Sequence, residues 1–170
     1  MPGSTKLGAR SSPRGSAGNR PQRVADLDMG TLPRSLGYHL RLVQLAYKKH
    51  FLRVAGGAGL QPQHVGAMFI VGLNPGVTPS LLGSALGMDV AQVALLLNAL
   101  ELRGLLTRRT SQLDGRSRIV ELTDAGRIAF GKLQTSAAKV ETSFAAGALS
   151  PPEMETLISL LARLLAGTRE

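Results

Sequence analysis

The chain contains no cysteine and no tryptophan, and aromatic residues make up only 4% of it. Without cysteine there are no disulfides, no thiolate nucleophile and no zinc–sulfur site. With so few rings the core must be built from Leu, Val, Ala and Met, which favours packed helices over a β-sandwich. No run of roughly 18 apolar residues appears, so no membrane span is expected. The first residues lack the apolar stretch of a signal peptide, and a cytoplasmic protein is expected. His39, His50 and His64 do not share the i, i+4 spacing of a metal site, and no serine sits in a nucleophile elbow. Neither an enzyme nor a bound cofactor or metal is expected. A last absence concerns charge: between Val54 and Leu100 there is no Lys or Arg, and Asp89 is the only formal charge.

The positive charge lies on either side of that neutral stretch. Of the 20 Lys and Arg residues, five fall in 1–23, five in 34–53, five in 103–118 and five beyond. The net charge of +9 on 170 residues calls for an anionic partner, with nucleic acid ahead of an acidic lipid surface. The length suits one domain with a real core.

Residues 1–25 are rich in Gly, Ser, Pro and Arg and offer almost nothing to bury, which predicts a disordered basic arm. The remainder, 26–170, reads as a single domain. A long helix is predicted from Leu32, with Pro33 in its first turn and Leu36, Leu40, Val43, Tyr47, Phe51 and Val54 at helical spacing, ending at Gly56-Gly57. Further helices are predicted over 61–73, 79–86 and 89–103, with Asp89 and Gln92 as a capping-box variant and Gly104 as the stop. LLTRR (105–109) and SRIVEL (117–122) read as two strands, joined by a loop containing Asp114-Gly115. Thr123 caps a helix over about 124–146, and SPPE (150–153) opens a last one.

Two short helices separated by Gly87-Met88 and followed by a β-hairpin give the order of a winged helix-turn-helix. The segment also resembles the MarR-type transcriptional regulators, from about Leu32 to the carboxyl end. LGMD (86–89), LELRGLLTRR (100–109), DGRSR (114–118) and LTDAG (122–126) carry the likeness. The resemblance implies a mainly α fold with a small β-hairpin wing. It implies a homodimer held by the terminal helices (32–55 and 124–168) around a winged module (61–122). It also implies a repressor on a pseudo-palindromic double-stranded operator, released by a small anionic or aromatic ligand. Arg116 would then enter the minor groove, where a guanidinium suits the concentrated negative potential, with Asp114 shaping the wing tip.

This sequence departs from the family in its reading helix. With Val93, Leu96, Leu97 and Leu100 buried, the outer face presents Ala91, Leu95, Asn98 and Leu102, flanked by Gln92 and Ala99. Leu95 and Ala can touch a thymine methyl, and Gln92 and Asn98 can pair with an adenine edge, but none neutralises a phosphate. Grip is therefore expected from Arg103, Arg108, Arg109, Arg116 and Arg118, and from the arm, including Arg20 and Arg23. On the first helix Arg34, Arg41 and Lys48 recur every seven residues. In this family that helix borders the ligand pocket, so the stripe, with Tyr38, His39, His64 and Met68, is a candidate site for an aromatic carboxylate or its coenzyme A thioester. Singly, each of these residues fits a structural role as well. Two other classes remain: a protein-interaction module whose Leu95/Leu102 face docks a partner helix, and a sequence-tolerant architectural protein.

Overall fold

The computed structural model describes residues 23–24, 27–55, 59–111, 115 and 117–168. Most of the predicted arm, including Arg20, lies outside the described residues, as do Asp114 and Arg116 of the wing. The order is α1 (Leu36–Ala55), α2 (Pro62–Leu73), α3 (Pro79–Leu86), α4 (Val90–Leu102), β1 (Leu106–Thr110), β2 (Arg118–Leu122), α5 (Asp124–Ala145) and α6 (Pro151–Ala166). The first helix therefore starts four residues later than its pattern predicts. Leu32–Arg34 form a single 3-10 turn, and Ser35 is extended at φ −87°, ψ 124°, which separates that turn from α1. Pro33 suits the first turn of either kind of helix, so it does not tell them apart.

The core is aliphatic, as the shortage of rings demands. Leu60, Met68, Leu82, Leu97, Leu100, Val120 and Val140 are its most completely buried large side chains. Each buried Leu or Val contributes about 1.5–3 kcal/mol through loss of apolar surface to water. β1 and β2 pair antiparallel, with Arg108 opposite Val120 and Leu106 opposite Leu122. Leu106, Val120 and Leu122 face inward and tie the hairpin to the helices. On its other edge β2 is bonded to the α2–α3 loop, where Val120 N–H donates to the Val77 carbonyl at 2.9 Å.

α5 is latched to the module at its first turn. The Thr123 hydroxyl accepts the Gly126 N–H at 2.9 Å and itself donates to the Gly104 carbonyl. Gly126 lies so close to the turn after α4 that a Cβ there would fall 2.0 Å from the Leu105 carbonyl oxygen. That contact explains why only glycine fits in the LTDAG segment. Farther along, α5 runs against α1. Tyr47 donates its hydroxyl to Glu141, and Phe144 packs edge-on to Tyr47 at 5.2 Å between ring centres. Burial and the Glu141 carboxylate both push the Tyr47 phenol far above its ordinary pKa.

The two ends of the domain are built differently from this core. α6 buries none of its residues, and Leu157, Ile158, Leu160, Leu164 and Leu165 all stay exposed. Its start is nonetheless well defined, since Ser150 and Glu153 form a capping box behind Pro151. On α1, Leu36, Leu40, Leu42, Val43 and Leu45 are likewise uncovered, and Phe51 is the one buried side chain. No single helix among the described residues is long and apolar enough to cross a membrane.

Candidate nucleic-acid interface

α3 and α4 form a bent pair whose geometry follows from their ends. Thr78 caps α3 through its hydroxyl, which accepts Leu81 N–H at 3.3 Å, and Pro79 fills the first turn. Gly87 ends α3 in the left-handed region at φ 64°, where a side chain would be strained. The chain then turns by 108°, within the range of a helix-turn-helix. Asp89 caps α4: its carboxylate accepts Gln92 N–H at 2.8 Å, while Gln92 returns its carbonyl oxygen to Asp89 N–H at 3.0 Å.

α4 buries Val93, Leu96, Leu97 and Leu100, the face that the periodicity predicts. Its outer face is open. Leu95 and Leu102 are 70% and 90% exposed, and Ala91, Gln92 and Asn98 lie beside them. Between this helix, the start of α3 and the base of the wing runs a cleft of about 740 Å³, lined by Thr78, Ser80, Asp89, Val90, Arg108 and Arg118, among others. Arg118 opens β2 and is exposed at this cleft, with no carboxylate partner among the described residues.

The other arginines are less free than the sequence suggests. Arg103, the residue closing α4, donates from Nη1 to the Gly59 carbonyl at 2.8 Å. Arg108 is bound side-on to Glu101, with Nε donating to Oε1 at 3.0 Å and Nη2 donating to Oε2. The same Nη2 donates to Asn98 Oδ1. This bonding holds the Glu101 carboxyl below its ordinary pKa and raises that of Arg108. Arg109 faces Glu121 at 3.4 Å across the hairpin, an exposed pair of small energetic weight. Of the five arginines expected to grip DNA, four are described, and two of those, Arg108 and Arg109, have carboxylate partners. Glu101 was missed by sequence reasoning because it stands seven residues from Arg108, and only the α4–β1 turn brings them together. Arg23 is exposed.

The candidate ligand residues do not converge. Arg34 belongs to the 3-10 turn, while Arg41 and Lys48 are exposed on α1. His39 Nε2 donates to the Pro33 carbonyl at 2.8 Å and meets Tyr38 edge-on. His64 and Met68 are buried in α2, Met68 completely. The His64 Nδ1 accepts Gln61 N–H at 3.1 Å, closing an unusual capping box. Burial, reinforced by the nearby Arg103 charge, lowers the His64 pKa. Two clefts instead lie along the α1–α5 contact. One, of about 490 Å³, has Val54, Leu60, Ile128, Ala129 and Leu133 as apolar walls and Lys132 as its cation. The other, of about 520 Å³, gathers Lys49, His50, Arg53, Ser143 and Phe144. There the Arg53 guanidinium donates to His50 Nδ1 at 2.9 Å, which leaves Nε2 as the donor to Ser143 Oγ at 2.7 Å.

A capped short helix, a 108° turn, a second helix with an open outer face and an adjoining hairpin define a winged helix-turn-helix, a DNA-binding module. A MarR family model matches residues 58–117. A protein of Thauera aromatica, provisionally named as the transcriptional regulatory protein for the hcr operon, is 33% identical over 142 residues, covering 83% of this chain and 85% of its own. The transcriptional repressor CouR, solved bound to a 23-mer DNA duplex, is 31% identical, with a TM-score of 0.74 over 82% of this chain and 98% of that one. A second CouR structure, bound to p-coumaroyl-CoA, is 29% identical over 82% and 97% of the two chains, also with a TM-score of 0.74. The chain belongs to the MarR family of winged helix-turn-helix transcriptional regulators.

Proposed function

We propose that this protein is a cytoplasmic, homodimeric repressor that binds a pseudo-palindromic duplex operator and is released by a small anionic aromatic effector. The observation that carries the reading is the likeness over most of both chains to CouR, a repressor captured with DNA and with p-coumaroyl-CoA. The uncovered leucines of α1 and α6 support a dimer, because a second copy brings the same apolar faces to bury. Arg118 beside α4, and Arg116 at the wing, supply the charge that the reading helix lacks.

The effector is an aromatic carboxylate or its coenzyme A thioester. The cleft containing Lys132 offers apolar walls and one ammonium, the chemistry an aromatic acid needs. Lys49 and Arg53 in the neighbouring cleft add cations suited to phosphates. Selection of duplex DNA by the whole chain, followed by a gel shift with Arg116→Ala, tests the DNA reading. Specific binding that is largely lost in the variant is expected, and equal binding to random duplex overturns it. Calorimetry with p-coumaroyl-CoA and with p-coumarate tests the effector class, which is removed if neither binds. The exposure of Leu95 and Leu102 favours a second reading, docking of a partner helix, and specific DNA retention sensitive to Arg116 rejects it.

A further inference from the structure

Both carboxamides on the outer face of α4 are turned the same way. Gln92 Oε1 accepts the Asp89 N–H, and Asn98 Oδ1 accepts from the Arg108 guanidinium. A backbone N–H and a guanidinium can only donate, so these bonds fix which end of each amide is oxygen. In both, the NH2 group has no partner among the described residues. Arg108 is held in its turn by the side-on bond to Glu101, and both hydrogens of its Nη2 are spent, one on Glu101 and one on Asn98. The lowered pKa of Glu101 keeps this brace charged. The remaining outer residues, Ala91, Leu95 and Leu102, are apolar. Asp89, the one carboxylate at this end, is engaged in capping the helix.

Pairing an amide with adenine in the major groove needs an acceptor for N6–H and a donor for N7 together. Here each amide oxygen is already tied by one bond within the protein, to Asp89 N–H or to Arg108, which leaves the NH2 as the untied half of each amide. We propose that α4 selects base pairs by their acceptors and methyl groups, reading guanine O6/N7 and thymine O4 and its methyl. Edges that must donate, adenine N6 and cytosine N4, are disfavoured. Arg108 acts in this as a positioning residue that orients Asn98, rather than as a phosphate contact. The inference rests on the DNA-binding reading above and deepens it.

Selection from random duplex by the full chain, repeated with Gln92→Ala and Asn98→Ala, locates the base pair each side chain reads by the loss of preference there. Guanine or thymine is expected at those pairs on the strand read by α4. Removing or weakening the acceptor, with 7-deazaguanine for guanine or 4-thiothymine for thymine, is expected to weaken binding about tenfold. Purine in place of the adenine opposite such a thymine, which removes only the N6 amine, is expected to change nothing. Arg108→Met, which frees Asn98 Oδ1, is expected to shift preference toward adenine at the Asn98 base pair alone. A tenfold loss with purine overturns the proposal, as do unchanged preferences in Asn98→Ala or in a folded Arg108→Met. If that variant does not fold, the analogue titrations on the wild-type chain still decide. Failure to enrich any sequence counts against DNA binding itself, whereas enrichment of donor edges overturns only this inference.

Discussion

The winged module and the terminal helices solve the burial problem in opposite ways. From α2 to β2, leucines and valines close on one another within the chain, and Met68, Leu82, Leu97 and Leu100 have essentially no exposure. In α6 no residue is buried, and in α1 Phe51 alone is, although both helices are as rich in leucine as the module. Leucine content thus does not separate the two regions; what differs is whether the leucines are covered within the chain. A module complete in itself can be carried as a unit onto DNA. In the proposed dimer, terminal helices covered by a second copy would fix the distance between two such units, which is how half-site spacing is set in dimeric regulators.

The largest effect is expected from charging the open helix. Leu160→Asp combined with Leu164→Asp should dissociate the dimer and weaken operator binding by about 10²-fold or more, because each half-site then binds without its linked neighbour. Sedimentation and fluorescence anisotropy measure both effects, and the circular dichroism of the module should be retained. If the variant unfolds instead, the contrast between the two regions is wrong. Inside the module, Leu97→Ala is expected to cost about 2–5 kcal/mol in denaturant unfolding, through lost burial and a residual cavity. A smaller loss, about 1 kcal/mol, is expected for Asp89→Ala, which removes the cap of α4. Smallest is a pH effect. The His64 pKa is lowered in the folded protein from an ordinary value of 6.5, so the unfolded chain takes up the proton first as pH falls. Stability should therefore decline on acidification through that value, until the folded protein is protonated too. His64→Gln, which can still accept the Gln61 N–H, should flatten this slope.

Much of this architecture could be read from residue patterns, and the reasons for the exceptions are physical. The buried face of α4 and the caps at Thr78, Asp89, Thr123 and Ser150 depend on local spacing, and local spacing is what a sequence displays. The start of α1 was misplaced because Pro33 satisfies two kinds of first turn, and the extended Ser35 decides between them. The complete burial of Met68 was not legible, because α2 is apolar on nearly every side and periodicity cannot say which face points inward. In the site, the outer residues of α4 were identified correctly as exposed, but the bonding state of their amides was not visible. The Asn98–Arg108–Glu101 chain depends on how a helix and a strand fold back on each other, and Arg109 meets Glu121 only through the hairpin register.

The central claim is that a reading helix without Lys or Arg leaves the grip on DNA to arginines at its border. Operator affinity as a function of salt, for the wild-type chain and for Arg118→Ala, tests it most directly. Each phosphate contact adds roughly 0.9 to the log–log slope, so losing one in each protomer should lower its magnitude by about 1.8. An unchanged slope in Arg118→Ala would contradict the account.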